Sequence, residues 1–266
     1  PANQGSKLVK DSTFDIAVAR EVFQILIELG EAFQLEPAKI EKWKTYRENL
    51  VPYRINEDDA LAEWIPEEYE DRYNHRHSSH LYPIFPGMEF MGPDADPELV
   101  AAAGIALDKR FEFNTKSAHG LIHVALMATR LKDVDKVRTN LDRFSRRRFV
   151  YPSFMTSHDS GQRIYNLDSI LSLPRLLMEM LVFSRPGHIE LLPAWPEDMG
   201  DGSIQGVLIR GGHSIDIEWE RGKLKSCTLY AGRAESVTIT YGDQTRSIQC
   251  QPGGVYQFDG ALQAVE

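Results

Sequence analysis

The densest cluster of polar side chains in the sequence lies between Tyr73 and Gly87, which reads YNHRHSSHLYPIFPG. Three imidazoles and one guanidinium fall within six residues, at His75, Arg76, His77 and His80. Such groups are costly to bury unless something hydrogen-bonds to them, and the prolines that follow favour an irregular loop. A loop of this kind is suited to binding a polar ligand.

Two other interpretations of these histidines stay open from the residues alone. Histidines often cap helix ends or bond to backbone carbonyls. His75, His77 and His80 are also potential zinc ligands, but their spacing does not match a one-face helical pair and no cysteine flanks them. We therefore predict no metal site and no cofactor.

Other candidate site residues carry weaker signals. His119 and His123 are four residues apart on a predicted helix, but without a glutamate after the first histidine they do not form the HExxH zinc motif, and two core or rim histidines are the simpler interpretation. Among the four tryptophans, Trp64 precedes the histidine loop and is the best candidate for stacking on the ring of a bound substrate. Packing in the interior is the alternative for each of them.

Composition excludes several classes of protein. The 266 residues are 42% apolar and 26% charged, as in an ordinary globular protein, and the formal charge of -9 provides no overall positive field for a nucleic acid. No apolar run approaches the roughly 20 residues that span a bilayer, so we expect no membrane partner. The two cysteines, Cys227 and Cys250, are interpreted as partly buried thiols, with a disulfide between neighbouring strands as the alternative.

The elements that must position these residues are helical in the first two thirds of the chain. After Ser12 or Thr13 as N-cap, apolar residues recur every three or four positions and predict a helix with one buried face. Those residues are Val18, Val22, Ile25, Leu29 and Phe33. Pro37 begins a second helix, and the two form a helical hairpin. Four more helices are predicted near 96–109, 117–131, 133–147 and 167–183, the last kinked at Pro174.

The pattern changes to short alternating segments after Pro186 and Gly187. Five strands are predicted, at Ser203–Arg210, Ser214–Glu220, Leu224–Tyr230, Ser236–Tyr241 and Thr245–Gln251. We therefore predict a mainly α chain in which residues 1–193 are helical and residues 194–266 form a small antiparallel β-sandwich.

The motif from His75 to Leu81, closed by Pro86 and Gly87, resembles the HRHxSHL...PG segment of family-95 glycoside hydrolases, the α-L-fucosidase and α-L-galactosidase family. Further similar segments follow the family's order along nearly the whole chain. They are Thr13–Asp15, Ile189–Pro196, Asp201–Ser203, Arg210–Gly212 and Asp216–Trp219.

This resemblance implies an (α/α)6 barrel flanked by β-domains and hydrolysis of glycosidic bonds with inversion. Arg76 and His77 would then bind sugar hydroxyls, with His75 beside them, and Tyr165–Ser169 would match the family's FQIDG, which makes Asp168 the catalytic carboxylate. From the residues alone, Asp168 is also a candidate helix N-cap. The implied partner is an oligosaccharide or polysaccharide, and the implied location is extracellular or periplasmic.

Two departures from the family pattern shape the functional hypotheses. Ala2 stands where the family has its general-acid glutamate, and alanine can transfer no proton. The alternative function is therefore a catalytically silent homologue that binds glycan. In addition, a six-hairpin barrel needs about twelve helices and this chain supplies about half. We expect the amino-terminal remainder of the same polypeptide to be a partner of these residues.

Overall fold

The computed structural model describes residues 9–113, 116–146 and 148–265. These residues form two compact units. The first comprises the described residues within Pro1–Met127 and Asn140–Ser169, and the second those within Ala128–Thr139 and Ile170–Glu266. Ala2 lies outside the described residues, so the role assigned to that position stays a prediction.

The helices follow the predicted pattern. The six α-helices of the described residues are α1 (Thr13–Ala32), α2 (Pro37–Glu48), α3 (Pro97–Phe113), α4 (Ala118–Arg130), α5 (Val134–Arg146) and α6 (Leu167–Leu181). Three short 3-10 helices are Ser79–Leu81, Glu89–Met91 and Glu197–Met199. α6 contains Pro174 in its interior and continues for seven residues beyond it, to Leu181.

The hairpin of α1 and α2 has the predicted start signals. Ser12 is the N-cap of α1, because its side-chain oxygen accepts a hydrogen bond from the backbone N–H of Asp15 at 3.1 Å. α2 begins at Pro37, whose missing N–H costs nothing in the first turn. The two helices approach closely at Gly30, where a side-chain carbon would lie 3.0 Å from Cγ1 of Ile40.

The predicted buried face of α1 is a correction. Val22, Ile25, Leu29 and Phe33 are exposed, Phe33 by 73%, and Val18 is only partly buried. α1 instead buries the residues Ile16, Ala17, Ile27 and Gly30. The apolar period identified an apolar face, but the described residues leave about half or more of each of its side chains exposed. We call Val22, Ile25, Leu29 and Phe33 the open face of α1.

Eight strands form two four-stranded sheets in the second unit. The strands are β1 (Val182–Arg185), β2 (His188–Leu191), β3 (Gly202–Ile209), β4 (His213–Glu220), β5 (Lys223–Tyr230), β6 (Glu235–Tyr241), β7 (Gln244–Cys250) and β8 (Val255–Asp259). One sheet has the order β1-β2-β6-β7 and the other β3-β4-β5-β8. The five predicted strands correspond to β3 through β7, and β1, β2 and β8 were not predicted.

Pairing in the second unit is antiparallel except between β2 and β6, which run parallel. The first sheet is therefore mixed rather than purely antiparallel. Both sheets contribute to one buried cluster, with Ile215, Leu229 and Ile239 fully enclosed, as expected for two sheets packed face to face. The first strand begins at Val182, within the segment predicted to be helical. The domain boundary after residue 193 stays a prediction.

Both cysteines are free thiols in the buried core of the second unit. Cys227 lies on β5 and Cys250 on β7, which belong to different sheets. Burial raises the pKa of Cys227 to about 12, which keeps this thiol protonated and unreactive at neutral pH. Of the two interpretations from the sequence, the structure has buried thiols.

Among the described residues, none of the helices has both the length and the hydropathy that crossing a bilayer requires.

Candidate active site

Buried residues that follow the three histidines anchor the histidine loop in the first unit. Leu81 and Ile84 have no exposed surface, and the short helix Ser79–Leu81 precedes a turn in which the N–H of Ile84 donates to the carbonyl of Leu81. Below the loop, the guanidinium of Arg110 on α3 donates to Glu63 at 3.0 Å and to the carbonyl of His75 at 3.4 Å. The beginning of the motif is thus attached to a buried ion pair.

A second set of hydrogen bonds holds the residue that precedes the motif. The hydroxyl of Tyr73 donates to Asp58 at 2.9 Å and accepts from the side-chain amide of Asn56 at 2.9 Å. The carbonyl of Tyr73 accepts from the N–H of His75 at 2.8 Å. These bonds fix the backbone direction from which His75, Arg76 and His77 project.

Four imidazoles from two chain segments lie side by side in the first unit. The ring centroids of His75 and His77 are 5.2 Å apart, those of His77 and His119 are 5.5 Å apart, and those of His119 and His123 are 4.1 Å apart. Phe85 closes the far end, 6.1 Å from the ring of His123. We call His75, His77, His119 and His123 the histidine row. Its two halves come together because α4 lies beside the loop.

Burial and mutual repulsion keep the histidine row neutral. Burial lowers the pKa of His77 to about 4, and the positive charge of Arg76 and the neighbouring rings add to the effect. Burial likewise lowers the pKa of His123 to about 4, with repulsion from His119 and His77. The pKa values of His75 and His119 are lowered chiefly by burial as well. Each ring therefore offers one donor and one acceptor nitrogen at neutral pH.

Asp168 stands exposed in the first turn of α6, where a carboxylate is favoured by the helix dipole. The amide of Asn166 donates to Asp168 Oδ2 at 3.1 Å, and Asn166 Oδ1 accepts from the N–H and the hydroxyl of Ser169 at 2.9 and 2.7 Å. The N-cap of α6 is therefore Asn166 rather than Asp168.

The pKa of His119 responds both to the charge of Arg76 in the loop and to the carboxylate of Asp168. The negative charge of Asp168 raises the pKa of His119 against the dominant effect of burial, and the positive charge of Arg76 lowers it. Asp168 acts on His123 in the same direction. Both charges must therefore lie within electrostatic range of one imidazole. The structure brings Arg76, His77 and Asp168 to the same region of the first unit, with Arg76 and Asp168 exposed and His77 half-buried.

Two of the candidates from the sequence are enclosed in the interior. His80 is buried, and its Nδ1 has no hydrogen-bond partner among the described residues. Trp64 has no exposed surface, and its ring packs edge-on against Tyr69 with centroids 5.8 Å apart. A ring without exposed faces cannot stack on a sugar, so Trp64 belongs to the interior, as the alternative interpretation held. Within the described ranges, no group of three or more potential metal ligands is arranged around a common point.

Sequence reasoning underrated three residues of the site. His119 and His123 were interpreted as core or rim residues, and Asn166 was not singled out. The only signal for the histidines was their four-residue spacing, which places them on one face of α4. For Asn166 the signal was an asparagine three residues before a serine at the start of a helix.

A separate cleft of about 390 Å³ lies in the second unit. Its lining includes Arg175, Ser184 and Arg210 together with apolar residues of α6 and β3. No candidate site residue from the sequence lines it. The polar groups that could carry out the expected chemistry are in the first unit.

Comparison with known proteins agrees with the motif. The family model described as glycosyl hydrolase family 95 catalytic domain matches residues 1–181, and the model described as glycoside hydrolase family 95, C-terminal domain, matches residues 183–259. Alpha-L-fucosidase 2 of Arabidopsis thaliana is 30% identical over 282 aligned residues, which cover 100% of this chain. The chain spans 32% of the length of that relative.

Proposed function

Because the chain belongs to glycoside hydrolase family 95, we propose that it is part of an inverting glycosidase that removes terminal α-L-fucosyl or α-L-galactosyl residues from glycans. The observation that carries the proposal is that the charges of Arg76 and Asp168 both act on the pKa of one imidazole, that of His119. A positive donor, neutral rings and a carboxylate in one region are the groups that recognise a sugar and activate a water.

Each group has a role that follows from its chemistry. The guanidinium of Arg76 donates to sugar hydroxyls in a fork, and the neutral ring of His77 both donates and accepts. His75 supports His77, because its Nδ1 accepts the backbone N–H of His77 at 3.1 Å. Asp168, held by the amide of Asn166 at 3.1 Å, orients the attacking water and accepts its proton.

Inversion also needs a general acid on the opposite side of the sugar, roughly 6.5 to 9.5 Å from the base. By the family resemblance that group would precede the described residues, where Ala2 stands in its place. We propose that the remaining groups of the active site come from the amino-terminal part of a longer polypeptide. The open face of α1 supports this proposal, because four exposed apolar side chains on one helix are usually covered by a neighbouring element.

The direct test is release of sugar. The longest natural polypeptide that contains this chain is expected to hydrolyse α-L-fucosides or α-L-galactosides, and Asp168→Asn is expected to lower kcat by about a thousandfold or more while leaving the fold intact. Asp159→Asn, a change at a loop carboxylate of the same unit, serves as the matched control. Absence of sugar release from a broad glycan panel would contradict the proposal.

The second candidate function is glycan binding without hydrolysis, and the alanine at position 2 favours it. Ala2→Glu separates the two functions. Hydrolysis that appears only in this variant would identify a binding protein with a lost acid, whereas equal hydrolysis by both proteins would support the enzyme. For either function, we propose an extracellular or periplasmic location, where glycan polymers are found.

A further inference from the structure

His119 and His123 have no part in the roles proposed above, yet they occupy the middle and the end of the histidine row. The ring of His119 lies between those of His77 and His123, with centroids at 5.5 and 4.1 Å. His123 in turn contacts Phe85. The ring of His119 is thus flanked by an imidazole on each side, and the ring of His123 packs against Phe85.

The surroundings of His119 are unusual for a core residue. The ring is only partly buried, and its Nδ1 has no hydrogen-bond partner among the described residues. A histidine that serves the fold usually has one nitrogen bonded to a carbonyl or carboxylate, which fixes its tautomer. A buried nitrogen without a hydrogen-bond partner destabilises the folded state of a protein. No hydrogen bond at Nδ1 therefore fixes the tautomer of His119, and because Nδ1 itself is enclosed, a ligand would contact the ring through Nε2.

The charge state of His119 suits a hydroxyl group. Burial lowers its pKa, so that the ring is neutral at neutral pH despite the nearby carboxylate of Asp168. A neutral imidazole donates from one nitrogen and accepts at the other, and a sugar hydroxyl does both through one oxygen. A protonated ring would offer donors only and would repel Arg76.

We propose that His119 is a further sugar-binding residue, which contacts one hydroxyl of the sugar held by Arg76 and His77, and that His123 is a positioning residue that keeps the ring of His119 in place. This inference rests on the proposed function, because it assigns a residue to the same sugar. It adds a specificity determinant on α4 that the histidine loop alone does not provide.

The test measures binding rather than hydrolysis. Calorimetry with L-fucose and a set of monodeoxy-L-fucoses is applied to the longest natural polypeptide that contains this chain. His119→Ala is expected to weaken L-fucose binding about three- to tenfold, as for one lost neutral hydrogen bond. One deoxy sugar, lacking the hydroxyl that His119 contacts, is expected to bind the natural protein and the variant equally. His119→Gln is expected to regain part of the affinity.

Control variants separate contact from structure. His123→Phe keeps the packing against Phe85. This variant is expected to lower the affinity for every sugar by about the same factor, which is smaller than the loss of L-fucose affinity in His119→Ala. His188→Asn, at a half-buried histidine of the second unit, is expected to leave the affinity for every sugar unchanged. A uniform loss for His119→Ala across all deoxy sugars, or no loss at all, would overturn the inference while leaving the proposed function intact. Failure of the natural protein to bind any of the sugars would overturn the proposed function and the inference with it.

Discussion

The two units of the chain differ in how completely they cover their apolar residues. In the second unit, strands with alternating burial from two sheets enclose a common core, in which Ile215 and Leu229 have no exposed surface. In the first unit, α1 has an equally regular apolar period, yet its open face remains exposed. Periodicity therefore identifies which side of an element is apolar, but it does not show whether other residues of the same chain pack against that side.

Among the described residues, each unit has an ion pair whose side chains have almost no exposed surface. In the first, Arg110 donates to Glu63 at 3.0 Å, and in the second, Arg130 donates to Glu179 at 3.0 and 3.3 Å. The first pair reaches the histidine loop, through the bond from Arg110 to the carbonyl of His75. The first pair therefore supports the candidate site as well as the fold of its unit.

Breaking the two ion pairs is expected to give the largest effects. Glu63→Gln and Glu179→Gln should each lower the free energy of unfolding of their own unit by about 3 to 5 kcal/mol, because a buried guanidinium loses its charged partner. Urea unfolding followed by segment-resolved hydrogen exchange measures both. Glu41→Gln, at an exposed pair with Lys44, is the control and should leave the free energy of unfolding almost unchanged.

The same pair of variants sharpens the comparison through binding. Glu63→Gln should also weaken sugar binding, since Arg110 no longer holds His75 in one position. Glu179→Gln should leave sugar affinity unchanged under conditions where the protein stays folded. Equal losses of affinity in both variants would contradict the assignment of the site to the first unit.

Truncating one isoleucine in each unit tests how well its apolar face is covered. Ile217→Ala, at a residue with 2% exposure on β4, should cost about 2 to 5 kcal/mol because it leaves a cavity. Ile25→Ala, at a residue of the open face with 45% exposure, should cost less than about 0.5 kcal/mol in the 266-residue chain. Denaturant midpoints at constant m-value measure both changes.

The length of the polypeptide gives this prediction a second outcome. In the longest natural polypeptide that contains the chain, the cost of Ile25→Ala should rise by about 1 kcal/mol or more if upstream residues cover the open face. An identical small cost in both polypeptides would contradict the proposed cover.

Acid is expected to weaken the first unit before the second. Six histidines have pKa values below the usual 6.5, and five of them lie in the first unit, namely His75, His77, His80, His119 and His123. A lowered histidine pKa favours the neutral folded state, so its contribution to stability is complete above pH 6.5 and is lost as the pH falls towards about 4. A half-buried histidine should account for about 1 to 2 kcal/mol after screening.

The second unit has a carboxylate whose contribution is lost at lower pH. The hydrogen bond from His213 lowers the pKa of Glu235 below 4.5, so the stability it provides persists above pH 4.5 and is lost as the pH falls further. Hydrogen exchange at pH 7, 5.5 and 4 separates the two windows. His123→Phe should reduce the loss in the first unit between pH 6.5 and 4. Loss of the second unit at a higher pH than the first would contradict this electrostatic account.

Local signals predicted most of the fold. Ser12 and Pro37 predicted the starts of α1 and α2, and the alternation of apolar and polar residues predicted β3 through β7. β1 and β2 were missed because they are four residues each and have too little pattern to distinguish them from the end of α6. The parallel pairing of β2 with β6 joins residues about fifty positions apart, which no local pattern encodes. The family resemblance, carried by a long motif, is confirmed by both family models.

The candidate site was predictable only where a motif named its residues. The histidine motif assigned Arg76 and His77, a second family segment assigned Asp168, and the structure brings the three to one region. His119 could not be assigned, because its place in the row depends on how α4 packs beside the loop rather than on neighbouring residues. Trp64 shows the opposite case: its type suited a sugar, but its complete burial removes its faces from solvent.

The most direct measurement of the central claim is a titration of the histidine ring resonances with L-fucose by NMR. If Arg76, His77 and Asp168 form one sugar site, the ring signals of His77 and His119 will shift together with a single Kd, and Arg76→Ala will abolish the shifts. The ring signals of His188 and His213, in the second unit, will stay unchanged. Shifts of His77 and His119 with different Kd values, or shifts confined to the second unit, would contradict the claim.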